Sequence, residues 1–429
     1  MNYVHTIVYV MLGVALLSCS DRNADSIKDD RSLTFAIDSL IDATSFFEAK
    51  RKFLQYQNEL SSLDSLRIAS KINTTFHKLD ISNQLIDRIF NEYKDELTDT
   101  LRYQCLKIQA DNYEKLYAYN SAYETYQKLK NFQHMLLPNE KEELEDDIAL
   151  WGALRKIPRQ KASFKKTEIR MSKDKAGLKN LAVVINKDTL DFIFDTGANL
   201  SVIVASKAKQ MQRIDTVIKV KALTGKTVDA TLAVAHELFL GNGILTHVIF
   251  LVLPDEALHF PQIDYQINGI LGFPVIEAMK EVTITADHKL IIPNRPHEHS
   301  GNAMALYSLT PIIELKSQGA YLPFSFDTGA AETHLYAPYF KKFKDSIENV
   351  YAVTDLGMGG AGGVVNVMGY KVPLHLEINN KPITLDSVSL ITDENYKRSS
   401  GLYGNIGQDV IREFEAVTLN FESMFVHFE

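Results

Sequence analysis

The stretch Asp191–Ala198 (DFIFDTGA) recurs as Pro323–Ala330 (PFSFDTGA), so that Asp-Thr-Gly triplets begin at Asp195 and Asp327. A second pair of motifs follows, Gly269–Ile276 (GILGFPVI) and Gly404–Ile411 (GNIGQDVI), and the interval between their inner glycines nearly equals the interval between the aspartates. One Asp-Thr-Gly triplet arises by chance in roughly one chain in ten of this length. Two copies with matching order and spacing indicate an internal duplication.

The duplicated part of the sequence has the pattern of an all-β protein. Short runs of β-branched and aromatic residues, separated by turn residues, continue from about residue 165 to the last residues. Pro158 and the lysine-rich stretch Lys161–Lys166 mark the point where this pattern begins. We therefore predict a first lobe at 165–293, a linker at 294–301 and a second lobe at 302–429.

The pairing of Asp-Thr-Gly loops with glycine motifs resembles the retropepsin-like (clan AA) aspartic peptidases, over about residues 165–429 and with two lobes fused in one chain. The resemblance implies that Asp195 and Asp327 are the paired catalytic carboxylates of an endopeptidase. In this family the threonines of the two loops bond across to the opposite loop, and glycines allow close approach of the backbone. The supporting residues implied here are Thr196, Gly197, Thr328, Gly329, Gly272 and Gly407.

Two carboxylates a few ångströms apart share one proton, because both cannot ionise cheaply. The ionised partner then acts as general base on a water, and the protonated partner polarises the scissile carbonyl. The sequence assigns neither aspartate to either role. Ala198 and Ala330 stand where pepsin-like enzymes usually have a hydroxyl, so we expect a mildly acidic or near-neutral pH optimum, which a pH–rate profile would test.

The glycine-rich stretch 356–363 (LGMGGAGG) resembles the flap tip of retroviral proteases, a hairpin that opens for substrate and then excludes water. The flap residues implied in the two lobes are Gly357, Met358, Gly359 and Gly360, and Leu223, Thr224 and Gly225. The same glycines of lobe 2 fit G-x-G-x-x-G, the dinucleotide fingerprint, which requires a helix to follow. Residues 364–367 (VVNV) have the composition of a strand, so we expect a flap.

The first residues resemble a bacterial lipoprotein signal, with an apolar run that ends in Leu-x-Ser-Cys at Cys19. The resemblance implies a signal peptide at 1–18, lipidation of Cys19 and a polar tether at 19–31. Ser20 after the cysteine resembles outer-membrane sorting in Gram-negative bacteria, so we expect a lipid-anchored protein of the cell envelope. An uncleaved anchor or a misplaced start codon remains the alternative.

Residues 32–160 have apolar residues at three- and four-residue spacing, which predicts an all-α domain. Asp64 and Asp80 are predicted helix N-caps, and Pro138 can open the last long helix. Small and aromatic positions near Ala110 and Tyr126 resemble one tetratricopeptide helix pair, although a plain helical bundle is an equal alternative. The predicted fold class is α+β multidomain, a helical (tetratricopeptide-like) domain followed by a bilobal double-retropepsin domain.

Composition excludes several other functions. The formal net charge of −8 gives no basic field for nucleic acid. His297, Glu298 and His299 could hold a metal, but a linker without cysteine partners is more typical of a solvated connector, so we expect no metal and no cofactor. The expected partners are a polypeptide substrate, the membrane through Cys19, and possible protein partners of the helical domain. A non-cleaving peptide-binding or scaffolding protein and an adaptor remain alternatives.

Overall fold

The computed structural model describes residues 22–221, 227–299, 303–360, 363–394 and 401–429. It contains a helical region followed by a β-rich part in two lobes. The predicted signal peptide and Cys19, and Leu223, Thr224 and Gly225 of the predicted lobe 1 flap, lie outside the described residues. Within the described part of the chain, none of the helices is both long and apolar enough to cross a bilayer.

Seven helices are described in the N-terminal region: α1 (Arg22–Asp42), α2 (Phe46–Tyr56), α3 (Ser62–Thr75), α4 (Leu79–Glu92), α5 (Asp99–Lys115), α6 (Tyr119–Leu129) and α7 (Pro138–Leu154). Helix α1 includes residues 22–31 of the predicted tether, so the helical domain starts before residue 32. Pro138 opens α7 as predicted.

The predicted N-caps Asp64 and Asp80 are wrong, because both residues lie in the first turn of their helices. Ser61 caps α3 instead, since its hydroxyl accepts a hydrogen bond from the backbone N–H of Asp64 at 3.1 Å. The carboxylates of the first turn still favour the helices, because they lie near the positive end of the helix dipole.

Consecutive helices are joined by three turns of the same kind. The turns from α1 to α2, from α3 to α4 and from α5 to α6 each contain a left-handed residue between two others, namely Thr44 (φ 54°), His77 (φ 60°) and Tyr117 (φ 53°). Such short connections make the two helices of a pair antiparallel neighbours. The sequence indicated one pair, whereas the structure has three, and their tetratricopeptide-like character stays a prediction.

Lobe 1 (residues 161–292) contains the following elements: β1 (Lys161–Ser163), β2 (Thr167–Arg170), β3 (Ser172–Lys173), β4 (Lys179–Ile185), β5 (Asp188–Phe194), β6 (Ser201–Val204), β7 (Gln212–Lys221), β8 (Thr227–Leu240), β9 (Gly243–Leu253), β10 (His259–Phe260), β11 (Tyr265–Gln266), β12 (Gly269–Leu271), α8 (Phe273–Glu277), β13 (Glu281–Thr285) and β14 (Lys289–Ile292). Strand β1 pairs with β9, so this lobe starts at Lys161, slightly before the predicted boundary.

Lobe 2 (residues 304–429) contains the following elements: β15 (Met304–Tyr307), β16 (Thr310–Ser317), β17 (Ala320–Phe326), β18 (His334–Leu335), α9 (Ala337–Lys342), α10 (Lys344–Glu348), β19 (Thr354–Gly360), β20 (Gly363–Ile378), β21 (Lys381–Ile391), β22 (Gly404–Ile406), α11 (Gln408–Ile411), β23 (Ala416–Asn420) and β24 (Phe425–Phe428). Strand β20 follows the glycine-rich stretch where the dinucleotide fingerprint would need a helix. That interpretation is therefore wrong.

The same strand arrangement surrounds both Asp-Thr-Gly loops. In lobe 1, β12 is parallel to β5 and antiparallel to β6. In lobe 2, β22 is parallel to β17 and antiparallel to β18. Each glycine motif therefore runs beside the strand that delivers the aspartate of its own lobe.

A five-stranded sheet, in the order β2-β14-β13-β23-β24, joins the lobes beneath these loops. Val282 pairs with Leu419 and Thr283 with Thr418 across the antiparallel contact of β13 and β23, and the two threonine hydroxyls are 2.8 Å apart. Residues 282–284 (VTI) and 417–419 (VTL), which are alike in the two halves of the duplication, are thus partners in one sheet.

The linker between the lobes is held by a buried carboxylate. Glu281, which is 1% exposed, accepts a hydrogen bond from the backbone N–H of His297 at 2.9 Å and from Nδ2 of Asn420 at 2.6 Å. The exposed side chains of Asn294, Arg295, His297 and Glu298 agree with the predicted solvated connector, and Glu281 holds its backbone at His297. Among the described residues, no three His, Cys, Asp or Glu side chains are arranged to hold a metal ion.

The helical domain packs on both lobes. Helices α1–α3 share a hydrophobic cluster with lobe 2 that includes Ile37, Phe46, Phe47, Phe53, Ile312, Leu356, Met358 and Leu402. Helices α6 and α7 share another with lobe 1 that includes Tyr119, Trp151, Leu232, Val234 and Ile249. Cys105 is buried in a third cluster, inside the helical domain.

Two of the repeated helical turns meet at one carboxylate of lobe 1. Tyr117 donates a hydrogen bond to Glu277 at the end of α8, and Nε2 of His77 lies 2.5 Å from the other carboxylate oxygen of Glu277. Burial and the neighbouring Glu277 raise the pKa of Tyr117 well above its ordinary value. The helical domain is thus fixed to lobe 1 through polar contacts as well as apolar packing.

Candidate active site

The strands β5 and β17 each end one residue before a predicted catalytic aspartate. The backbone N–H of Asp195 donates to the carbonyl of Leu271 at 3.1 Å, and that of Asp327 to the carbonyl of Ile406 at 3.0 Å. Each aspartate is therefore tied to the glycine motif of its own lobe. Both residues are half-buried, so the loops are reachable from solvent.

The two loops are joined by crossed hydrogen bonds from the threonines. Oγ1 of Thr196 donates to the carbonyl of Phe326 at 2.8 Å, and Oγ1 of Thr328 donates to the carbonyl of Phe194 at 2.7 Å. Each hydroxyl also accepts a hydrogen bond at 3.0 Å from the backbone N–H of the opposite threonine. Four hydrogen bonds thus connect the lobes at the base of the site, and both threonines are buried.

Glycines bring the two carboxylates together. A Cβ on Gly329 would lie 2.2 Å from Cγ of Asp195, and a Cβ on Gly197 would lie 2.7 Å from Cγ of Asp327. Each carboxylate therefore contacts the loop of the other lobe, where a larger residue would clash. The backbone N–H groups of these glycines also donate to their own loop's aspartate, at 2.8 Å in lobe 1 and 2.9 Å in lobe 2.

The glycine motifs lie against the far ends of the loops. A Cβ on Gly272 would lie 2.5 Å from the carbonyl carbon of Leu200, and a Cβ on Gly407 would lie 2.6 Å from that of Glu332. Side chains are excluded at both positions, because the backbone of the loop occupies the space.

Two hydroxyl groups that the sequence analysis missed support these glycines. The backbone N–H of Gly272 donates to Oγ of Ser201, and that of Gly407 donates to Oγ1 of Thr333, each at 3.0 Å. The interval from Ser201 to Thr333 equals the interval between the two aspartates, so the internal duplication relates the two hydroxyl residues. Extending the comparison of the two halves beyond the glycine-containing loops would have found them.

The two lobes differ in polarity next to the two aspartates. In lobe 2, Oγ of Ser325 donates to Oδ1 of Asn405 at 2.5 Å, and Nδ2 of Asn405 donates to Oδ2 of Asp327 at 3.2 Å. The equivalent residues of lobe 1 are Ile193 and Ile270, which have no polar side-chain atoms. The two motifs visibly differ at these positions in the sequence, but the sequence does not indicate that Asn405 contacts the carboxylate of Asp327.

A buried lysine lies next to the second Asp-Thr-Gly loop. Lys179, at the start of β4, lines a small void together with Thr328 and Gln408, and Nε2 of Gln408 donates to the carbonyl of Thr328 at 2.8 Å. Burial, followed by the nearby Arg412, lowers the pKa of Lys179 below its ordinary value. The lysine is thus less costly to keep neutral than an exposed one.

The predicted flap residues of lobe 2 lie in the hairpin of β19 and β20. Leu356 and Met358 are buried against α1–α3 together with Val365 and Val367 of the facing strand, whereas Gly357 and Gly359 point to the exposed side. Gly360 ends β19 at the bend. Met358 was predicted to contact substrate as a flap residue. Its side chain is instead covered by the helical domain.

Two histidines of the lobes, His236 and His334, lie in ordinary strand surroundings. His236 of β8 lies edge-on to His247, at 6.2 Å between ring centroids. His334 of β18 pairs with Asn405 across two strands. Tyrosines of the helical domain take part in its packing, for example Tyr119 against Trp151 at 6.1 Å between ring centroids.

Residues 181–275 match the model of a protein family described as aspartyl protease. This part of lobe 1 is thus similar to the retropepsin-like aspartyl proteases. The match covers β4 to α8, which includes the first Asp-Thr-Gly loop and the first glycine motif. No curated protein matched the chain.

Proposed function

We propose that this chain is an aspartic endopeptidase whose catalytic dyad is formed by Asp195 and Asp327. The observation that carries the proposal is the crossed hydrogen bonding of Thr196 and Thr328, which holds the two Asp-Thr-Gly loops against each other. The aspartyl protease match of lobe 1 supports the same reaction. The contact of each carboxylate with the opposite glycine supports a shared proton.

The proposed reaction needs one water and one proton shared by the dyad. The water oxygen bonds to the scissile carbonyl carbon, one water proton passes to the ionised carboxylate, and the proton of the other carboxyl passes to the carbonyl oxygen. The C–N bond then breaks as the nitrogen takes a proton from the first carboxyl, while one hydroxyl of the intermediate returns its proton to the second. The dyad is regenerated, and an acid and an amine leave.

Asp327→Asn tests this proposal, because an amide can neither take a proton from water nor share one with Asp195. We expect kcat/KM on a proteome-derived peptide library to fall by a factor of about 10²–10⁴, the size of a general acid–base contribution. The measurement is mass-spectrometric counting of cleavage sites. Asp191→Asn is a matched control, because Asp191 is exposed on the strand that leads to the dyad.

The same assay separates the alternative of a silent peptide-binding or scaffolding protein. A silent binding protein would bind a pepstatin-type inhibitor or peptides but would produce no new peptide termini. The natural sequence and Asp195→Asn would then give the same result. Cleavage that survives unchanged in both Asp→Asn variants would contradict the dyad.

We also propose that the enzyme is anchored in the cell envelope through lipidated Cys19. The Leu-x-Ser-Cys motif supports this placement. Partitioning into a detergent phase, lost in Cys19→Ser, is the measurement that decides it.

A second candidate role, recruitment of a protein partner, is favoured by a groove of about 470 Å³ in the helical domain. Its lining combines the aromatic rings of Phe90 and Tyr113 with the cations of Arg102 and Lys128. Such a combination suits a peptide with apolar and acidic side chains. Arg102→Glu should then impair cleavage of a recruited protein while leaving cleavage of short peptides unchanged.

A further inference from the structure

The strands that deliver the two aspartates have equivalent positions with opposite polarity. Ile193 pairs with Ile270 across the parallel strands β5 and β12, and Ser325 pairs with Asn405 across β17 and β22. The internal duplication relates these two pairs. Ile193 and Ser325 each stand two residues before the aspartate of their lobe, and Ile270 and Asn405 each stand two residues before the inner glycine. Only lobe 2 has side-chain hydrogen-bonding groups at this pair of positions.

The polar pair forms a directed chain of hydrogen bonds that ends on a carboxylate of the dyad. Ser325 donates to Oδ1 of Asn405, which turns Nδ2 of Asn405 towards Oδ2 of Asp327 at 3.2 Å. The other oxygen of Asp327 accepts from the backbone N–H of Gly329 at 2.9 Å. Ser325 and Asn405 are each 2% exposed, so bulk water does not compete strongly for these groups.

A donor aimed at a carboxylate oxygen favours the charged form of that carboxyl group. We propose that Asn405 is a positioning residue that stabilises the ionised form of Asp327, so that Asp327 takes the water proton and Asp195 carries the shared proton. This proposal rests on the proposed peptidase function and adds the division of roles that the duplication alone leaves open. Asn405 supplies from lobe 2 the donor that Ala198 and Ala330 cannot provide.

The orientation of the amide gives the proposal a definite alternative. With the amide reversed, Nδ2 of Asn405 would donate to Ser325 and Oδ1 would face Asp327, while the hydroxyl of Ser325 would donate to the carbonyl of Gly404, now at 3.3 Å. An acceptor facing Asp327 favours its protonated form. The two orientations therefore predict opposite roles for the two aspartates.

The first experiment compares pH profiles of kcat/KM for the natural sequence, Asn405→Leu and Ser325→Ala. In Asn405→Leu the acid limb should move up by about 1 pH unit, the shift expected for loss of one hydrogen bond to a charged group. At a pH below the limb, kcat should fall about tenfold with little change in KM. Ser325→Ala should shift the limb in the same direction by less, because the amide keeps its donor but loses the group that orients it.

Ile270→Leu is the matched control, since it changes packing at the equivalent position of lobe 1 without removing a hydrogen bond. Its acid limb should coincide with that of the natural sequence. An unshifted limb in Asn405→Leu would overturn the proposal and leave Asn405 a purely structural residue. If Asn405→Leu does not fold, the shift in Ser325→Ala decides.

The second experiment needs no peptidase activity. A small epoxide alkylates ionised carboxylates, so peptide mapping of the adduct reports which aspartate carries the charge. We expect the adduct on Asp327 in the natural sequence and a smaller share there in Asn405→Leu. An adduct chiefly on Asp195 would overturn the proposal in favour of the reversed amide. A chain that cleaves no peptide at any pH would refute the proposed function, while the labelling would still decide the role of Asn405.

Discussion

The hydroxyl of Thr328 takes part in two hydrogen bonds at the junction of the lobes, to the carbonyl of Phe194 and from the backbone N–H of Thr196. Thr328→Val keeps the shape of the side chain but leaves both buried backbone groups without this partner. Each such group costs about 1–3 kcal/mol, so we expect the free energy of unfolding to fall by about 2–6 kcal/mol. Urea denaturation followed by tyrosine and tryptophan fluorescence measures this loss.

Thr189→Val is the control for this substitution, because Thr189 is exposed on the strand that precedes the first loop. Its effect should stay within about 0.5 kcal/mol. Equal denaturation midpoints for the two variants would show that the crossed hydrogen bonds contribute nothing to the joining of the lobes.

At the scale of residues, the two aspartates and their neighbours could be predicted from the sequence, because each Asp-Thr-Gly loop is a local signal that the duplication repeats. Asn405 and Ser325 could not be assigned in this way, since their effect depends on a contact between two strands that are far apart in the chain. The motif comparison shows that the lobes differ there. Only the pairing of β17 with β22 shows that the difference reaches Asp327.

Among the secondary-structure elements, α5, α6 and α7 enclose a set of acidic side chains. Tyr126 of α6 donates a hydrogen bond to Glu114 of α5, and Asp147 of α7 lies close by. Burial raises the pKa of Glu114 from 4.5 to about 8 and that of Asp147 from 3.8 to about 6. Both pKa values are raised in the folded state. The contribution of these two carboxyl groups to the free energy of unfolding is therefore fully present below about pH 4 and is lost as the pH rises towards 8.

Glu114→Gln should remove most of this pH dependence, since an amide accepts the hydrogen bond of Tyr126 without a charge. At pH 8 we expect the variant to be more stable than the natural sequence by on the order of 2 kcal/mol, or roughly 2 °C in melting temperature. At pH 4.5 the two should melt together. Glu145→Gln on the exposed side of α7 is the control, and an equal gain in both variants at pH 8 would contradict the role of Glu114.

The flap hairpin shows a limit of prediction at this scale. Glycine content and flanking strands predicted the hairpin of β19 and β20 in lobe 2, because both signals are local. The burial of Met358 was not predictable, because an apolar residue in a flap has the same sequence signal whether it faces a substrate or a neighbouring domain. The helices that cover it, with Phe46 among their contacts, come from the opposite end of the chain.

At the scale of the whole molecule, the helical domain covers apolar surface on both lobes, so a chain that begins at Lys161 would expose it. Leu232 and Val234 of lobe 1, and Leu356 and Met358 of lobe 2, would lose their helical partners. A contiguous apolar patch of this kind promotes association. We expect the 161–429 fragment to elute as oligomers in size-exclusion chromatography and to melt at a lower temperature than the full chain.

A full-length chain with a protease site inserted at residues 157–159 is the matched control, since its two parts fold together before the linker is cut. After cleavage the two parts should co-elute. A monomeric 161–429 fragment with the melting temperature of the full chain would contradict the covering role. It would support the view of the helical domain as an independent adaptor.

The order of the domains and the β-rich character of lobes 1 and 2 could be predicted, since helical and strand periodicities change near Pro158. The docking of the helical domain could not. Phe46 and Phe53 have the spacing of an ordinary amphipathic helix, and nothing in that spacing says whether the buried side faces another helix or lobe 2.

The sheet that joins the lobes has a consequence for biosynthesis. Strand β13 completes its pairing only with β23, and the whole of lobe 2 up to Thr418 separates Thr283 from its partner in the chain. A ribosome must therefore deliver nearly the whole polypeptide before this sheet can close, and contacts of such long range form slowly. Under the proposed peptidase function, the nascent chain is therefore expected to stay inactive throughout elongation and to gain activity only once β23 has paired with β13.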